Sequence, residues 1–468
     1  MSNGRAIAIA ALALALAGCT FGPDYKRPDL DLPQSQLENP EFVAPGWWTM
    51  FKDDTLNNLV DEALRHNRDL AAAIAASQAA AAAVKGTRAD LFPAVFGTAS
   101  ATRGTTVINN QNILSPVDVY TASLNASYGL DLWGERRALT RAAAAELASS
   151  IAAADLAALT TATDTVNTYF LILTLEQQLR ITRDTVAADA QTVEVFRSRW
   201  QHGLVSELDL RRMEADLASV QASEADLARQ ISQARTALKV LAGQSARQIA
   251  DGTSGKPRGA RHKAVPLPDI PSNIPADTLT RRPDIMQAEE ALKAANARIS
   301  AARAAYFPDI SLTASAGYVS TKLSSLASGS SGTWGVGANL FQTVFDAGKT
   351  RAMNEQAEAE YRRLLAMYEK TVQEAYKDVY DSLNASRSKQ LAYAALSRQV
   401  KALERGYLLS IDKYLAGLIS TTDLLDVKRG WLAAQMGLSA AQYDRIAATV
   451  SVVRSLGGGW EAPKTNRK

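Results

Sequence analysis

The chain has 468 residues, with 51 Lys and Arg against 48 Asp and Glu, so a net charge of +3 leaves no basic footprint for nucleic acid. His66, His202 and His262 lie far apart, and only one cysteine accompanies them, which supplies neither a metal-ligand set nor a disulfide framework. There is no phosphate loop and no nucleophilic triad, so enzyme activity has no support.

Residues 1–19 read MSNGRAIAIAALALALAGC: one positive charge at Arg5, an Ala/Ile/Leu run, then Leu16-Ala17-Gly18-Cys19. The apolar stretch is a secretory signal, too brief to span a bilayer. Its ending resembles a bacterial lipoprotein signal, which implies cleavage after residue 18 and lipidation (palmitate among the acyl groups) of Cys19. Thr20 in place of Asp points to the outer membrane. An ordinary signal with an incidental cysteine is the alternative, although a free thiol is unusual in an exported protein. No further run of about 18 apolar residues is expected, so a membrane span here should be a β-barrel.

An internal repeat organises the rest. His66-Asn67-Arg68-Asp69-Leu70 opens a helical run ending in Phe92-Pro93, and Arg281-Arg282-Pro283-Asp284-Ile285 opens another ending in Phe307-Pro308. Arg88 and Arg303 are 215 apart, as are Pro93 and Pro308; Gly134 recurs as Gly348, Arg137 as Arg351, Gly203 as Gly417 and Leu210 as Leu424, each at 214. One register held this long marks two structural duplicates.

Each half begins with a helix of about 30 residues (56–88 and 281–304), ended by the Phe-Pro pair because proline disfavours helix in the residue before it. Strands follow. In 118–130, Tyr120, Ala122, Leu124, Ala126, Tyr128 and Leu130 alternate with Thr121, Ser123, Asn125, Ser127 and Gly129. In 310–319, Ile310, Leu312, Ala314, Ala316 and Tyr318 alternate with Ser311, Thr313, Ser315 and Gly317. Strands 94–103 and 333–341 are weaker, though Trp334, Val336, Ala338 and Leu340 keep one face apolar. Period two with small polar residues opposite fits lipid on one side and water on the other, with a soluble sandwich as the alternative. Segments 104–117 and 320–332 read as loops.

Uninterrupted helical patterns then run over 136–201 and 350–414, each a rod of roughly 100 Å. Leu147, Ile151, Ala154 and Ala158 show the spacing of a packed stripe. Tight turns at 201–206 and 415–420 reverse the chain into helices 208–243 and 422–456. The resulting plan is a signal (1–18), an N-terminal segment (19–55), a first repeat (56–243, hairpin 94–130), a connector (244–280), a second repeat (281–456, hairpin 310–343) and a tail (457–468). The N-terminal segment, connector and tail are expected to wrap the middle of the rods. Four strands cannot close a membrane barrel, and open edges in lipid are prohibitive. Three chains sharing twelve strands would close it.

The chain resembles the outer-membrane factor (TolC-like) family, in the lipoprotein branch serving resistance-nodulation-division (RND) exporters. The resemblance rests on Cys19 with Gly22-Pro23-Asp24-Tyr25-Lys26-Arg27-Pro28, on Trp47-Trp48 leading to Phe51 and Leu56, and on Leu130-Asp131-Leu132-Trp133-Gly134. Arg281-Arg282-Pro283-Asp284-Ile285 and Phe345-Asp346-Ala347-Gly348 complete it. It implies a mixed α/β membrane protein: a homotrimer with a shared 12-stranded transmembrane β-barrel and a long periplasmic α-helical barrel. The function implied is a passive duct for drugs or other small toxic compounds, in a tripartite pump with a periplasmic adaptor and an inner-membrane RND transporter. No cofactor is implied beyond the covalent lipid on Cys19. Thr343 departs from the proline common before the Phe-Asp-Ala-Gly element.

The resemblance places a periplasmic gate at Tyr414, Asp423 and Asp426; Asp209, one turn into the other short helix, is a weaker candidate for the same constriction. Asp423 and Asp426 are three apart and share a helix face, and three copies of each would favour cations near the axis. Asp423 also reads as a helix-start aspartate satisfying free N–H groups. Ile419 stands where the family carries an arginine that can bond such a tyrosine or aspartate. The turns Gly203-Leu204-Val205-Ser206 and Gly417-Leu418-Ile419-Ser420 resemble adaptor-docking tips, although glycine turn chemistry alone also accounts for them. Tyr120, Tyr128, Tyr318 and Trp334 suit an interfacial belt, with Tyr128 and Trp334 alternatively at the barrel–helix junction. Rival readings are a metal-efflux or secretion duct of the same architecture and a poreless coiled-coil scaffold.

Overall fold

The computed structural model describes residues 22–29, 46–108, 113–250 and 281–458; Cys19 and the signal, most of the connector and the tail from 459 lie outside them. In chain order the elements are α1 (Asp54–His66), α2 (Arg68–Ala89), β1 (Ala94–Ile108), β2 (Ile113–Gly129), α3 (Glu135–Gln201), α4 (Glu207–Leu241) and α5 (Ala246–Ala250). The second repeat supplies α6 (Pro283–Ala304), β3 (Asp309–Ser320), β4 (Gly332–Phe341), α7 (Lys349–Leu415) and α8 (Thr421–Ser455). The fold is mostly α-helical, with one antiparallel sheet in the order β1-β2-β3-β4.

The helix ends follow from local chemistry. The expected helix over 56–88 is two helices, because Asn67 adopts an extended ψ of 133°. Its Oδ1 accepts from the Leu70 N–H at 3.0 Å and its Nδ2 donates to the Leu241 carbonyl at 3.1 Å. Asp131 starts α3, accepting from the N–H groups of Arg136 and Arg137 at 3.0 Å each. Asp346, 215 residues on, accepts from the N–H groups of Gly348 (2.9 Å) and Thr350 (2.8 Å) to start α7. Each capped start satisfies N–H groups that the helix itself leaves free.

The expected loop 104–117 is mostly strand, since β1 and β2 pair in register out to Ile108 opposite Ile113. Segment 320–332 contains two short 3₁₀ turns, Leu323–Ser325 and Gly329–Ser331. The register decides the faces. Leu124 sits opposite Gly97 on one side and Ala316 on the other, and Ala316 opposite Trp334. Tyr120, Ala122, Ala126 and Tyr128 follow with Tyr318, Ala314, Leu312, Val336 and Ala338, so one face is apolar throughout this span. The other face carries Thr98, Ser100, Thr121, Ser123 and Asn125, bonded side chain to side chain at 2.7–3.0 Å across β1 and β2. Trp334 lies near the loop end of β4 and is 79% exposed, so it is not at the junction with the helices. The junction aromatic is Trp133, stacked on Phe307 at 4.8 Å and donating through Nε1 to the Pro308 carbonyl at 2.7 Å.

The chain divides into two compact units. One comprises Met1–Leu30, Ala76–Ile151 and Gln287–Lys370, and so holds the sheet. The other comprises Asp31–Ala75, Ala152–Met286 and Thr371–Lys468. The second unit's largest core gathers Trp47, Trp48, Phe51, Leu56, Val60, Val166, Tyr169, Phe170, Ile446, Val450 and Val453, with Tyr169 donating to Asp53 at 2.6 Å. One expectation fails: α3 does contain an 18-residue window long and apolar enough to cross a membrane by composition. Alanine causes this. It scores as apolar yet buries little area per residue, and its small side chain suits close helix packing as well as lipid.

Candidate gate and tips

The two chain reversals are built alike. At the first, Gly203 adopts φ +71°, the Gly203 N–H donates to the Trp200 carbonyl at 2.9 Å, and the Leu204 N–H donates to Arg199 at 2.8 Å. At the second, Gly417 adopts φ +73°, with Gly417 donating to Tyr414 at 3.0 Å and Leu418 to Lys413 at 2.9 Å. This left-handed helix stop needs glycine because a β-carbon clashes at positive φ. It leaves Leu204 and Leu418 exposed, with Val205 and Ile419 half-buried.

Each reversal then opens a helix capped by a serine, with an aspartate three residues on. Ser206 Oγ accepts from the Asp209 N–H at 3.1 Å and donates to the Asp209 carboxylate at 2.6 Å. Ser420 Oγ accepts from the Asp423 N–H at 3.2 Å, while Asp423 accepts from the Ser420 N–H (3.0 Å) and hydroxyl (2.7 Å). Those bonds from Ser420 hold the exposed Asp423 carboxyl below the usual carboxylate range. The helix-start reading of Asp423 is the one the geometry shows: it closes a capping box, and its carboxylate is exposed. Asp426, also exposed, pairs with Arg429 at 3.7 Å. Tyr414 is half-buried, its ring stacked on Phe196 with centroids 6.4 Å apart, in a cluster with Val193, Leu210, Met213 and Leu425. The fold thus brings Tyr414 and the two α8 aspartates into the tip region of one unit, and Asp209 into the equivalent place on α4.

Sequence reasoning missed the buried charges behind the tips. Lys428 on α8 donates to Asp189 on α3 and, at 3.1 Å, to Asp216 on α4. Arg429 Nε donates to Asp216 at 2.9 Å, and Arg212 reaches the Thr422 hydroxyl at 2.7 Å. Burial pushes the Asp189 carboxyl above its ordinary value, only partly opposed by Lys428. In the fold, Thr182, Asp189, Val193 and Phe196 form one buried stripe, as do Thr421, Leu425 and Lys428, a pattern visible only once the packing is known.

The duplicated chain thus combines an open sheet that has one apolar face with two capped helical reversals. The family model described as outer membrane efflux protein matches residues 59–244 and 274–458, and the chain belongs to this family. It is 32% identical over 467 residues to the antibiotic efflux pump outer membrane protein ArpC of Pseudomonas putida, covering 97% of this chain and 95% of that protein. It is 30% identical over 458 residues to the cation efflux system protein CusC of Escherichia coli, covering 96% and 98% respectively. The crystal structure of the Campylobacter jejuni CmeC outer membrane channel superposes with a TM-score of 0.89 at 26% identity, over 95% of this chain and 96% of that one. The fold is TolC-like, and the protein is the outer-membrane channel component of an RND-type efflux pump.

Proposed function

We propose that three copies of this chain form one exit duct, with a 12-stranded barrel in the outer membrane and a helical tunnel in the periplasm built from the repeats 56–243 and 281–456. Its partners are a periplasmic adaptor and an inner-membrane RND transporter, and the lipid on Cys19 anchors it to the outer membrane. One observation carries the reading. The sheet's strands share an apolar face, while β1 and β4 each pair with one strand only among the described residues. Tyr120 to Tyr128 spans nine residues, the length of a tilted membrane strand. Just beyond it on the same face, Arg103 pairs with Asp118 at 3.7 Å, a charge pair suited to headgroups rather than hydrocarbon. Open edges with such a face demand copies of themselves.

The cargo proposed is drugs or other small toxic compounds, chosen mainly by the inner-membrane transporter. ArpC and CusC, named for antibiotic and cation efflux, are matched at nearly equal identity, so a metal cargo is the second reading. The gate is proposed at Tyr414, Asp423 and Asp426, with Asp209 nearby, and the docking tips at 203–206 and 417–420. Exposed Leu204 and Leu418 and the matched caps support this placement. Single-channel conductance of the purified protein in planar bilayers tests it. Pores whose cation preference falls in Asp423→Asn/Asp426→Asn support duct and gate together. Unaltered pores would move the gate elsewhere, and no pores from folded trimers would leave a sealed apolar gate or the poreless scaffold.

A further inference from the structure

Two aromatic rings stand on the polar face of the sheet. The register pairs Thr98 with Ser123, Ser100 with Thr121 and Ser315 with Gly335 on that face. The same alternation puts Phe96 there, opposite Asn125, and Phe341, opposite Asp309. They are the only aromatic residues on this face among the described strands. Each belongs to an edge strand, Phe96 to β1 and Phe341 to β4, and they are 50% and 69% exposed. A phenyl ring gains nothing by facing water.

The edge strands carry a second oddity. Gly335 and Gly337 lie inside β4, where glycine weakens a strand. Their pairing with Ser315 and Thr313 is unbroken, so no bulge calls for them. A β-carbon at Gly335 would meet only Ser315 Oγ, at 3.6 Å, so nothing within the chain crowds it either. On β1, Gly97 leaves similar room, since a β-carbon there would meet only Leu124 Cδ2 at 3.8 Å. Strand glycines without a bulge mark the close approach of something else.

On the three-copy reading above, β4 of each copy pairs with β1 of the next, and barrel closure restricts how. Along one row of partners, Phe96 leads to Asn125, Ser315 and Gly335. The neighbour's β1 is staggered against that row, by an even number of residues so that like faces stay together. With strands about 4.8 Å apart rising about 3.3 Å per residue, staggers of about two, four and six residues per copy tilt twelve strands by about 19°, 35° and 46°. Membrane strands tilt by about 35–45°, which leaves the two larger values. Stagger in the opposite sense would carry Phe341 past the start of β1 at Ala94. The smaller remaining value sets Phe96 opposite Asn339 and Phe341 opposite Ala94. The larger sets Phe341 directly opposite Phe96, Leu340 opposite Gly97, and the exposed Trp334 opposite the exposed Arg103.

We propose that Phe341 of one copy and Phe96 of its neighbour meet across this seam and fix the larger stagger. Opposed aromatic rings are a favoured cross-strand pair. Leu340 fills the space that Gly97 leaves, and the Trp334 ring covers the Arg103 guanidinium. Three such seams set an apolar collar near the foot of the lumen, each part of it completed by a second copy. This rests on the three-copy reading, so the experiment separates the two.

Disulfide cross-linking of the full-length protein in outer membranes reads the stagger. Cysteines directly opposite lie about 4.5–5.5 Å apart, within reach of a disulfide, and a two-residue offset puts them about 7–8 Å apart, beyond it. Val336→Cys/Ala101→Cys is directly opposed at the larger stagger, and Val336→Cys/Ala99→Cys at the smaller. Linked trimers are expected from the first variant and their loss in the second, with Val336→Cys alone unlinked. On the polar face, Asn339→Cys/Thr98→Cys against Gly337→Cys/Thr98→Cys gives the same contrast where lipid-facing cysteines impair assembly. Linked trimers from the Ala99 or Gly337 variants instead overturn the Phe341–Phe96 seam. So does the absence of links from every pair in membranes where an amine-reactive reagent still captures trimers. Assembled protein that this reagent captures only as monomer overturns the three-copy reading, and the seam with it.

Discussion

Lys428 Nζ stands 3.1 Å from Asp216 Oδ2 and also donates to Asp189, so one buried ammonium on α8 joins carboxylates on α3 and α4. Asp216 is also held by Arg429, whereas Asp189 Oδ2 has no partner among the described residues. Ile419 leaves the tip without the arginine that the family resemblance leads one to expect there. The cation that binds these helices lies nine residues further on, inside the packing. A buried pair stabilises little by its presence and costs much when half of it is removed.

Lys428→Met should therefore destabilise the protein by about 3–5 kcal/mol at neutral pH. Asp189→Asn/Lys428→Met should lose less than the single change, with a coupling of about 1 kcal/mol or more. The pH dependence has a definite sign. Burial raises the Asp189 carboxyl in the folded protein, so its protonated form favours folding and its ionisation opposes it as pH rises through the folded value. The deficit of Lys428→Met should be largest at neutral pH and shrink toward about pH 4. Thermal unfolding in detergent across that range measures it, and a deficit independent of pH would contradict the account.

The cap that Asp423 makes and the gate role proposed for it separate by isosteric replacement. Asparagine keeps an acceptor for the Ser420 N–H but removes the charge, whereas alanine removes both. Asp423→Asn should retain most of the melting temperature while reducing cation preference, and Asp423→Ala should lower both. Ser420→Ala, which removes the acceptor for the Asp423 N–H, should cost about 1 kcal/mol. The Asp423 carboxyl lies below its ordinary value because Ser420 bonds its ionised form. Its contribution is therefore present at neutral pH and fades as pH falls through that lowered value.

Gly203→Ala and Gly417→Ala should be alike in cost, about 1–2 kcal/mol each. Both positions have positive φ, and neither has any atom within 4 Å of an added β-carbon, so strain alone acts. Gly406→Ala has the same open surroundings without positive φ. Inside α7, where alanine is the better helix former, it should be neutral or stabilising. Denaturant midpoints of the three variants decide this, and equal losses at all three would place the effect outside backbone strain.

Much of the helical frame was legible, because its boundaries are local events. Proline ends α2 and α6, glycine ends α3 and α7, and serine restarts α4 and α8, so the observed ends lie within one or two residues of those expected. What escaped depends on partners distant in sequence. Asn67 breaks a helix to reach the Leu241 carbonyl. Gly104 and Thr105 look like loop residues until their pairing with Val117 and Pro116 is known. Asp189 and Lys428 are ordinary charges among about a hundred others until packing turns both inward. At the tips the glycines and caps could be read residue by residue, but the buried charges behind them could not.

The two sheet faces give the last prediction. Ala314 and Val336 are register partners on the apolar face, while Thr313 and Gly337 are the neighbouring pair on the polar face. Val336 is 76% exposed, so an arginine there meets no steric obstacle within the chain. In lipid the same change places a cation against hydrocarbon, at about 2–4 kcal/mol near the bilayer midplane and less toward either surface. Val336→Arg should thus cut assembly into the outer membrane and leave unassembled chain in the periplasm. Thr313→Arg, one step along the sheet, should assemble and instead lower conductance for cations, since the proposed barrel turns this polar face toward its lumen. Membrane fractionation followed by bilayer recording reads both effects. If Thr313→Arg blocked assembly while Val336→Arg passed, the faces would be reversed, and with them the lumen.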